Sequence, residues 1–230
     1  MSKITIENIF NNSNVIDALA NYRSKYELPF IVEVSGMPNS GKSGAIKVAE
    51  KLMRRSKLEY KIIPEAAGYC KIKDKLSPMF NDWTFSQTLS LLTEAFNSNH
   101  NLVICERGIF DALCWARFHY DNGQLSQEEY DKSSSYFSLS RFSEKIALLI
   151  TFRCNVETTI SRENTHGIVG AEGTIINNKT LAILKTSIDE TYRKYSHCFK
   201  QSIIIDSDEL TQQEISSRFI NEILIYLNDL

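Results

Sequence analysis

The chain has 230 residues, of which 43% are apolar and 23% charged, with a formal net charge of -2. That length buries one full core, and the balance excludes a disordered tract or a fibrous repeat, so one large domain is expected ahead of two small ones. The near-neutral charge offers no bulk attraction to nucleic acid or to an anionic membrane, and neither partner is expected.

Cys70, Cys105, Cys114, Cys154 and Cys198 are odd in number and include no Cys-x-x-Cys pair, which fits reduced thiols. His100, His119, His166 and His197 have no metal-ligand spacing and are assigned no chemistry. Residues 1–7 lack the apolar stretch of a signal peptide, and no segment approaches a membrane span. A soluble, cytoplasmic protein is expected.

In chain order, Asn14–Tyr26 reads as a helix set ahead of the main domain, a helical extension over residues 1–28. Phe30–Ser35 reads as a strand, followed by an amphipathic helix over Gly41–Ser56 with Ala45, Ile46, Val48, Ala49 and Leu52 at helical spacing. Strands follow at Tyr60–Pro64, Asn101–Cys105, Ile146–Phe152 and Ser202–Asp206. Helices are expected over 83–98, 108–120 and 176–195, with a helix-like stretch at Val156–Glu163. A last helix, Gln212–Asn228, opens on Thr211 as cap with Glu214 three residues on. The strands are continuously apolar and not alternating, as buried parallel strands are, and they alternate with helices. A three-layer α/β/α domain over residues 29–230 with a five-stranded parallel sheet is expected. Asn164–Asn178, with three glycines and no apolar period, is the clearest loop and a candidate lid, taken with Arg162 as 162–178.

Between the first strand and its helix stands Gly36-Met37-Pro38-Asn39-Ser40-Gly41-Lys42-Ser43, the pattern G-x-x-x-x-G-K-S in the strand-to-helix context that makes it a phosphate-binding loop. Glycines let successive N–H groups, with Asn39 and Ser40 between them, converge on one anion, and the helix start adds its positive dipole end. Lys42 is expected to reach the β- and γ-phosphates and Ser43 to ligate magnesium, so Mg-ATP or Mg-GTP is implied.

Glu106-Arg107-Gly108 closes the third strand at the carboxyl edge, where ligands of open α/β sheets bind. Glu106 is suited to hold magnesium and its hydration shell, and Arg107 to fix a phosphoryl group or an acceptor, with Asp111 one turn on to orient it. Glu65 ends the second strand and is placed to accept a proton from an acceptor hydroxyl; the alternative is a solvated carboxylate. Trp83 and Gln87, four apart on a helix, share a face that offers a ring to stack and an amide to read a planar group, with core packing the alternative for Trp83. Arg162, ahead of the glycine-rich loop, is the better candidate to clamp the transferring phosphate, while a surface role suits Arg153.

Taken together, Gly36–Ser43, Glu65, Gln87, Glu106-Arg107-Gly108-x-x-Asp111, Arg162 and Ile203–Asp206 make residues 29–228 resemble the P-loop nucleoside and nucleotide kinases. That group includes the thymidylate, deoxynucleoside and nicotinamide ribose kinases. The resemblance implies Glu65 as base or substrate ligand and Glu106 and Arg107 as contacts to magnesium and acceptor. The chain departs from the group in having no arginine between Arg162 and Asn178 and in its leading helix. The reading is transfer of the γ-phosphoryl group of ATP to a small acceptor, a nucleoside, nucleotide or ribosyl metabolite, with a homodimer left open. Its rivals are a toxin-like or sugar kinase on the same scaffold, and a nucleotide switch or NTPase with no acceptor. A guanine-reading Asn-Lys-x-Asp segment is absent from the sequence.

Overall fold

The computed structural model describes residues 13–56, 58–166 and 175–228. Its strands are β1 (Phe30–Gly36), β2 (Tyr60–Ile63), β3 (Leu102–Glu106), β4 (Leu148–Arg153) and β5 (Ser202–Asp206). Its helices are α1 (Ser13–Tyr26), α2 (Lys42–Met53), α3 (Pro78–Phe96), α4 (Ile109–Asp121), α5 (Gln127–Phe137), α6 (Ser140–Ser143), α7 (Val156–His166), α8 (Asn178–Tyr195) and α9 (Gln212–Asn228). The strands form one parallel sheet in the order β2-β3-β1-β4-β5. The three-layer α/β/α arrangement expected from the apolar runs is the one observed.

Every residue of the central strand β1 is buried, and its alternation divides them between two cores. Phe30, Val32 and Val34 join Leu102, Ile104, Leu148, Ile150 and Phe152 beneath α1, α2 and α9. Ile31 joins Val103, Cys105 and Leu149 beneath α3, α4, α5 and α8. Each such side chain stabilises the fold by about 1.5–3 kcal/mol when fully buried. Alternation also sends Glu33 and Ser35 to the second face, where α4 begins. The leading helix α1 packs into the first core through Val15, Leu19 and Tyr22.

Several boundaries differ from the expected ones. β2 stops before Pro64, which has no N–H to continue the ladder. The third strand runs one residue further, so Glu106 belongs to β3 and is fixed by the sheet. α3 starts five residues early because Ser77 caps it, accepting from the Phe80 N–H at 3.3 Å, with Pro78 in the first turn. α5 was not foreseen; its capping box pairs Ser126 with Glu129. The expected loop over Asn164–Asn178 is narrowed at both ends, since α7 runs to His166 and Asn178 opens α8 under the Asn177 cap. Residues 167–174 of the candidate lid lie outside the described residues.

Candidate active site

The carboxyl ends of β1, β2 and β3 and the first turns of α2 and α4 converge on a cavity of about 570 Å³. Gly36 opens the phosphate loop at φ 123°, and a Cβ there would stand 2.0 Å from the Phe152 carbonyl oxygen on β4. Only glycine lets the loop leave the sheet at that point. Asn39 takes φ 54°, which asparagine tolerates, and Gly41 takes φ 93° as the residue preceding α2. Ser40 turns inward, its hydroxyl donating to the Met37 carbonyl at 2.7 Å.

Lys42 is almost fully buried. Its ammonium donates to the Met37 carbonyl at 2.5 Å and to the Gly36 carbonyl and Ser40 hydroxyl at 3.3 Å each. Burial, with Arg107 nearby, lowers its pKa to about 8, against the pull of Glu65, Asp111 and Glu106. One residue on, the Ser43 hydroxyl donates to Glu106 Oε1 at 2.5 Å. A hydroxyl and a buried carboxylate therefore meet at the loop, two hard oxygen donors of the kind magnesium takes alongside substrate phosphates. Among the described residues there is no group of three or more His, Cys, Asp or Glu suited to a metal.

Arg107 holds φ 60°, a conformation that costs a side-chain-bearing residue about 1–3 kcal/mol unless its surroundings impose it. Here they do. Its N–H donates to the Val34 carbonyl at 2.9 Å, its Nε forms an ion pair with Glu65 Oε1 at 2.8 Å, and its Nη1 donates to Asp111 Oδ1 at 2.7 Å. Ser35 donates to the same Asp111 oxygen at 2.8 Å. Burial opposes the Arg107 charge, but Asp111, Glu65 and Glu106 outweigh it and hold the guanidinium protonated. For Glu65, burial pulls the pKa up, yet Arg107 and Lys42 prevail and keep it below the ordinary carboxylate range. The half-buried Glu65 is thus an ionised carboxylate on the cavity wall.

Beneath this turn lies Glu33, fully buried, which sequence reasoning did not single out. Its carboxyl accepts from the N–H groups of Ile109 at 3.1 Å, Phe110 at 2.7 Å and Asp111 at 3.3 Å, so it closes the start of α4. A Cβ on Gly108 would come within 2.7 Å of that carboxyl group. An acid alone inside an apolar strand was the signal that marks it.

Arg162 is placed beside the phosphate loop. Its Nη1 donates to the Asn39 carbonyl and the Ser207 hydroxyl at 3.2 Å, and its Nη2 to the carbonyls of Ser207 at 2.5 Å and Leu210 at 3.2 Å. It ties the loop to the β5–α9 connection, and Asn39 Nδ2 donates to Glu163 at 2.7 Å on the same helix. Arg153 pairs with Asp189 at 2.8 Å, away from the cavity. Trp83 and Gln87 lie outside the residues that line the cavity, Trp83 partly buried and Gln87 exposed. α3 presents Phe80, Asn81, Thr84, Phe85 and Thr88 instead, because both sides of this helix are apolar and the packing of Phe85 and Leu92 sets its rotation. Opposite them α4 offers Asp111, already noted beside Arg107, followed at four-residue spacing by Trp115 and His119, to which sequence reasoning assigned no role.

Five parallel strands between helices, with the glycine-bearing loop Gly36–Ser43 after the central strand and an acid and a base at the end of the neighbouring one, define a three-layer α/β fold. No protein-family model and no curated protein matches the chain. Solved structures do. The chain is similar to deoxyadenosine kinase from M. mycoides with products dCMP and a flexible dCDP bound, at TM-score 0.64 and 20% identity, over 87% of this chain and 100% of that one. The same enzyme with bound dATP gives 0.65 and 18%, over 85% and 100%, and with bound dCTP 0.58 and 19%, over 87% and 100%. At that identity the likeness is one of fold.

Proposed function

We propose that this protein is an ATP-dependent kinase that phosphorylates a hydroxyl group of a nucleoside or a related ribosyl metabolite. The observation that carries the reading is the ionised Glu65, paired with Arg107 at 2.8 Å on the wall of a cavity that Lys42 and Ser43 also line, with Glu106 reached through the Ser43 hydroxyl. A phosphate acceptor would meet repulsion from that carboxylate; a hydroxyl finds an acceptor for its proton there. The fold shared with nucleotide-bound deoxyadenosine kinase structures supports the same choice.

In this reading the phosphate loop and Lys42 bind the triphosphate of ATP, and Arg107 and Glu65 orient the acceptor. The hydroxyl oxygen bonds to the γ-phosphorus, the bond from that phosphorus to the bridging oxygen breaks, and ADP leaves. The hydroxyl proton passes to Glu65. Ser43 and Glu106 would hold magnesium, whose charge offsets that of the transferring phosphoryl group. Arg162 acts by keeping the Asn39 end of the loop in place as well as by any contact with the phosphates.

The test is Glu65→Gln, which keeps reach but removes the charge. ATP affinity by titration should stay within about twofold, while nucleoside-stimulated ADP formation falls by roughly a hundredfold. Full transfer by the variant would remove Glu65 from the mechanism. A parent protein whose ADP release no nucleoside stimulates would leave an NTPase or switch.

A further inference from the structure

The far end of the cavity is built around His119, which is buried in the last turn of α4 and lines the cavity wall. A chain of hydrogen bonds determines its tautomer. Gln124 Nε2 donates to the Leu76 carbonyl at 2.8 Å, so the atom of Gln124 that faces the imidazole is its oxygen, 2.9 Å from His119 Nδ1. Asn122 Nδ2 donates to that same oxygen at 3.3 Å. An amide oxygen only accepts, so Nδ1 carries the hydrogen. Nε2, the one remaining polar atom of the ring, has no protein partner among the described residues. Burial lowers the His119 pKa against smaller upward pulls from Gln124, Asp82 and Asp74, so the ring is neutral at pH 7 and Nε2 keeps its lone pair.

Asp111, Trp115 and His119 stand at four-residue intervals on α4 and all line the cavity. At about 1.5 Å per residue, the eight residues from Asp111 to His119 span about 12 Å, the reach of a sugar joined to a heterocyclic base. Asp111 marks the reacting end through its bond to Arg107. Trp115 lies between, an aromatic surface for a planar ring.

We propose that His119 selects the acceptor's base, its Nε2 accepting a hydrogen bond from an exocyclic amino group at the edge furthest from the reacting hydroxyl. The inference rests on the nucleoside kinase reading and adds to it a substrate class, nucleosides of amino-bearing heterocycles. Gln124 acts through His119 as a positioning residue.

The test compares kcat/KM for pairs that differ only in the amino group: adenosine against purine riboside, and cytidine against 2-pyrimidinone riboside, each also as the 2′-deoxy form. Wild type should favour the amino-bearing member of at least one pair by about tenfold or more, mainly through KM, because an acceptor left unpaired in a buried site is costly. His119→Phe keeps a flat ring and removes the acceptor; the preference should fall to within about twofold. His119→Gln returns an oxygen acceptor and should restore part of it. Wild-type enzyme that treats both members of every pair alike would overturn the proposal while leaving the kinase reading standing, as would a preference retained in His119→Phe. Failure of every nucleoside to stimulate ADP formation would overturn the kinase reading and this proposal together. Should His119→Phe fold poorly, the wild-type comparison and His119→Gln decide the matter.

Discussion

Replacing Glu33 by glutamine gives a prediction whose sign comes from burial and whose size comes from the shift it causes. The carboxyl group projects from the central strand β1 toward the start of α4 with no exposure, and burial raises its pKa from 4.5 to about 8 against the three N–H bonds from α4 that favour its charge. A folded-state pKa above the unfolded one means that the native protein keeps a proton the unfolded chain has released. Stability from this group is therefore fully present below pH 4.5 and is lost as pH rises through 8. The loss is about 1.4 kcal/mol per pH unit, or about 5 kcal/mol as an upper bound over the whole window. Glu33→Gln has no such titration. It carries instead a constant penalty of about 1–3 kcal/mol, because its amide nitrogen faces the Ile109 N–H that a carboxyl oxygen now accepts at 3.1 Å. Urea unfolding of both proteins at pH 5, 6, 7 and 8 measures the difference. The advantage of wild type should shrink steadily over that range and level off above pH 8. A difference that stays flat would mean that the N–H groups and the helix dipole keep Glu33 ionised throughout, and would refute the argument from burial.

Two further outcomes bear on the phosphate loop. Lys42→Ala should leave the unfolding midpoint close to that of wild type but, on the proposed function, reduce phosphoryl transfer by a thousandfold or so, since its ammonium would be the fixed charge facing the phosphates; turnover at the parental rate would dismiss the kinase reading. In Ser43→Ala the Glu106 carboxylate loses its 2.5 Å donor, so ATP binding measured with magnesium should weaken about tenfold and binding in EDTA much less. Equal losses in the two titrations would show that Ser43 is no metal ligand.

How much of this site was legible along the chain depends on the distance over which each feature is encoded. The phosphate loop is eight consecutive residues whose glycines do their work through backbone angles, and Gly36 and Gly41 take the positive φ values that the pattern calls for. The acid and base at Glu106 and Arg107 were legible because a buried strand announces its own end. The Glu65–Arg107 pair was half legible. Each residue was placed at the carboxyl edge, but their contact depends on β2 lying beside β3 with Ile63 opposite Cys105, which sets Glu65 across from Arg107 two residues later. Trp83 and Gln87 show the opposite case. Helical spacing put them on a common face, yet nothing local to α3 says which face turns inward when Phe85, Leu92, Leu89 and Leu91 offer apolar contacts on both sides.

By itself, then, the sequence determined the α/β alternation, the glycine-bearing turn Gly36–Ser43 between strand and helix, and the acids and arginine at the strand ends, because continuous burial, glycine conformation and chain-local spacing are all short-range properties. The tertiary structure decided what faces the cavity. Strand order brought Glu65 to Arg107, the alternation of β1 carried Glu33 to the start of α4, and the packing of α3 against α4 turned Thr88 and His119 toward the cavity. Those outcomes depend on which elements become neighbours, and neighbours are chosen by the burial of whole faces across separations of tens of residues, which no window along the chain contains.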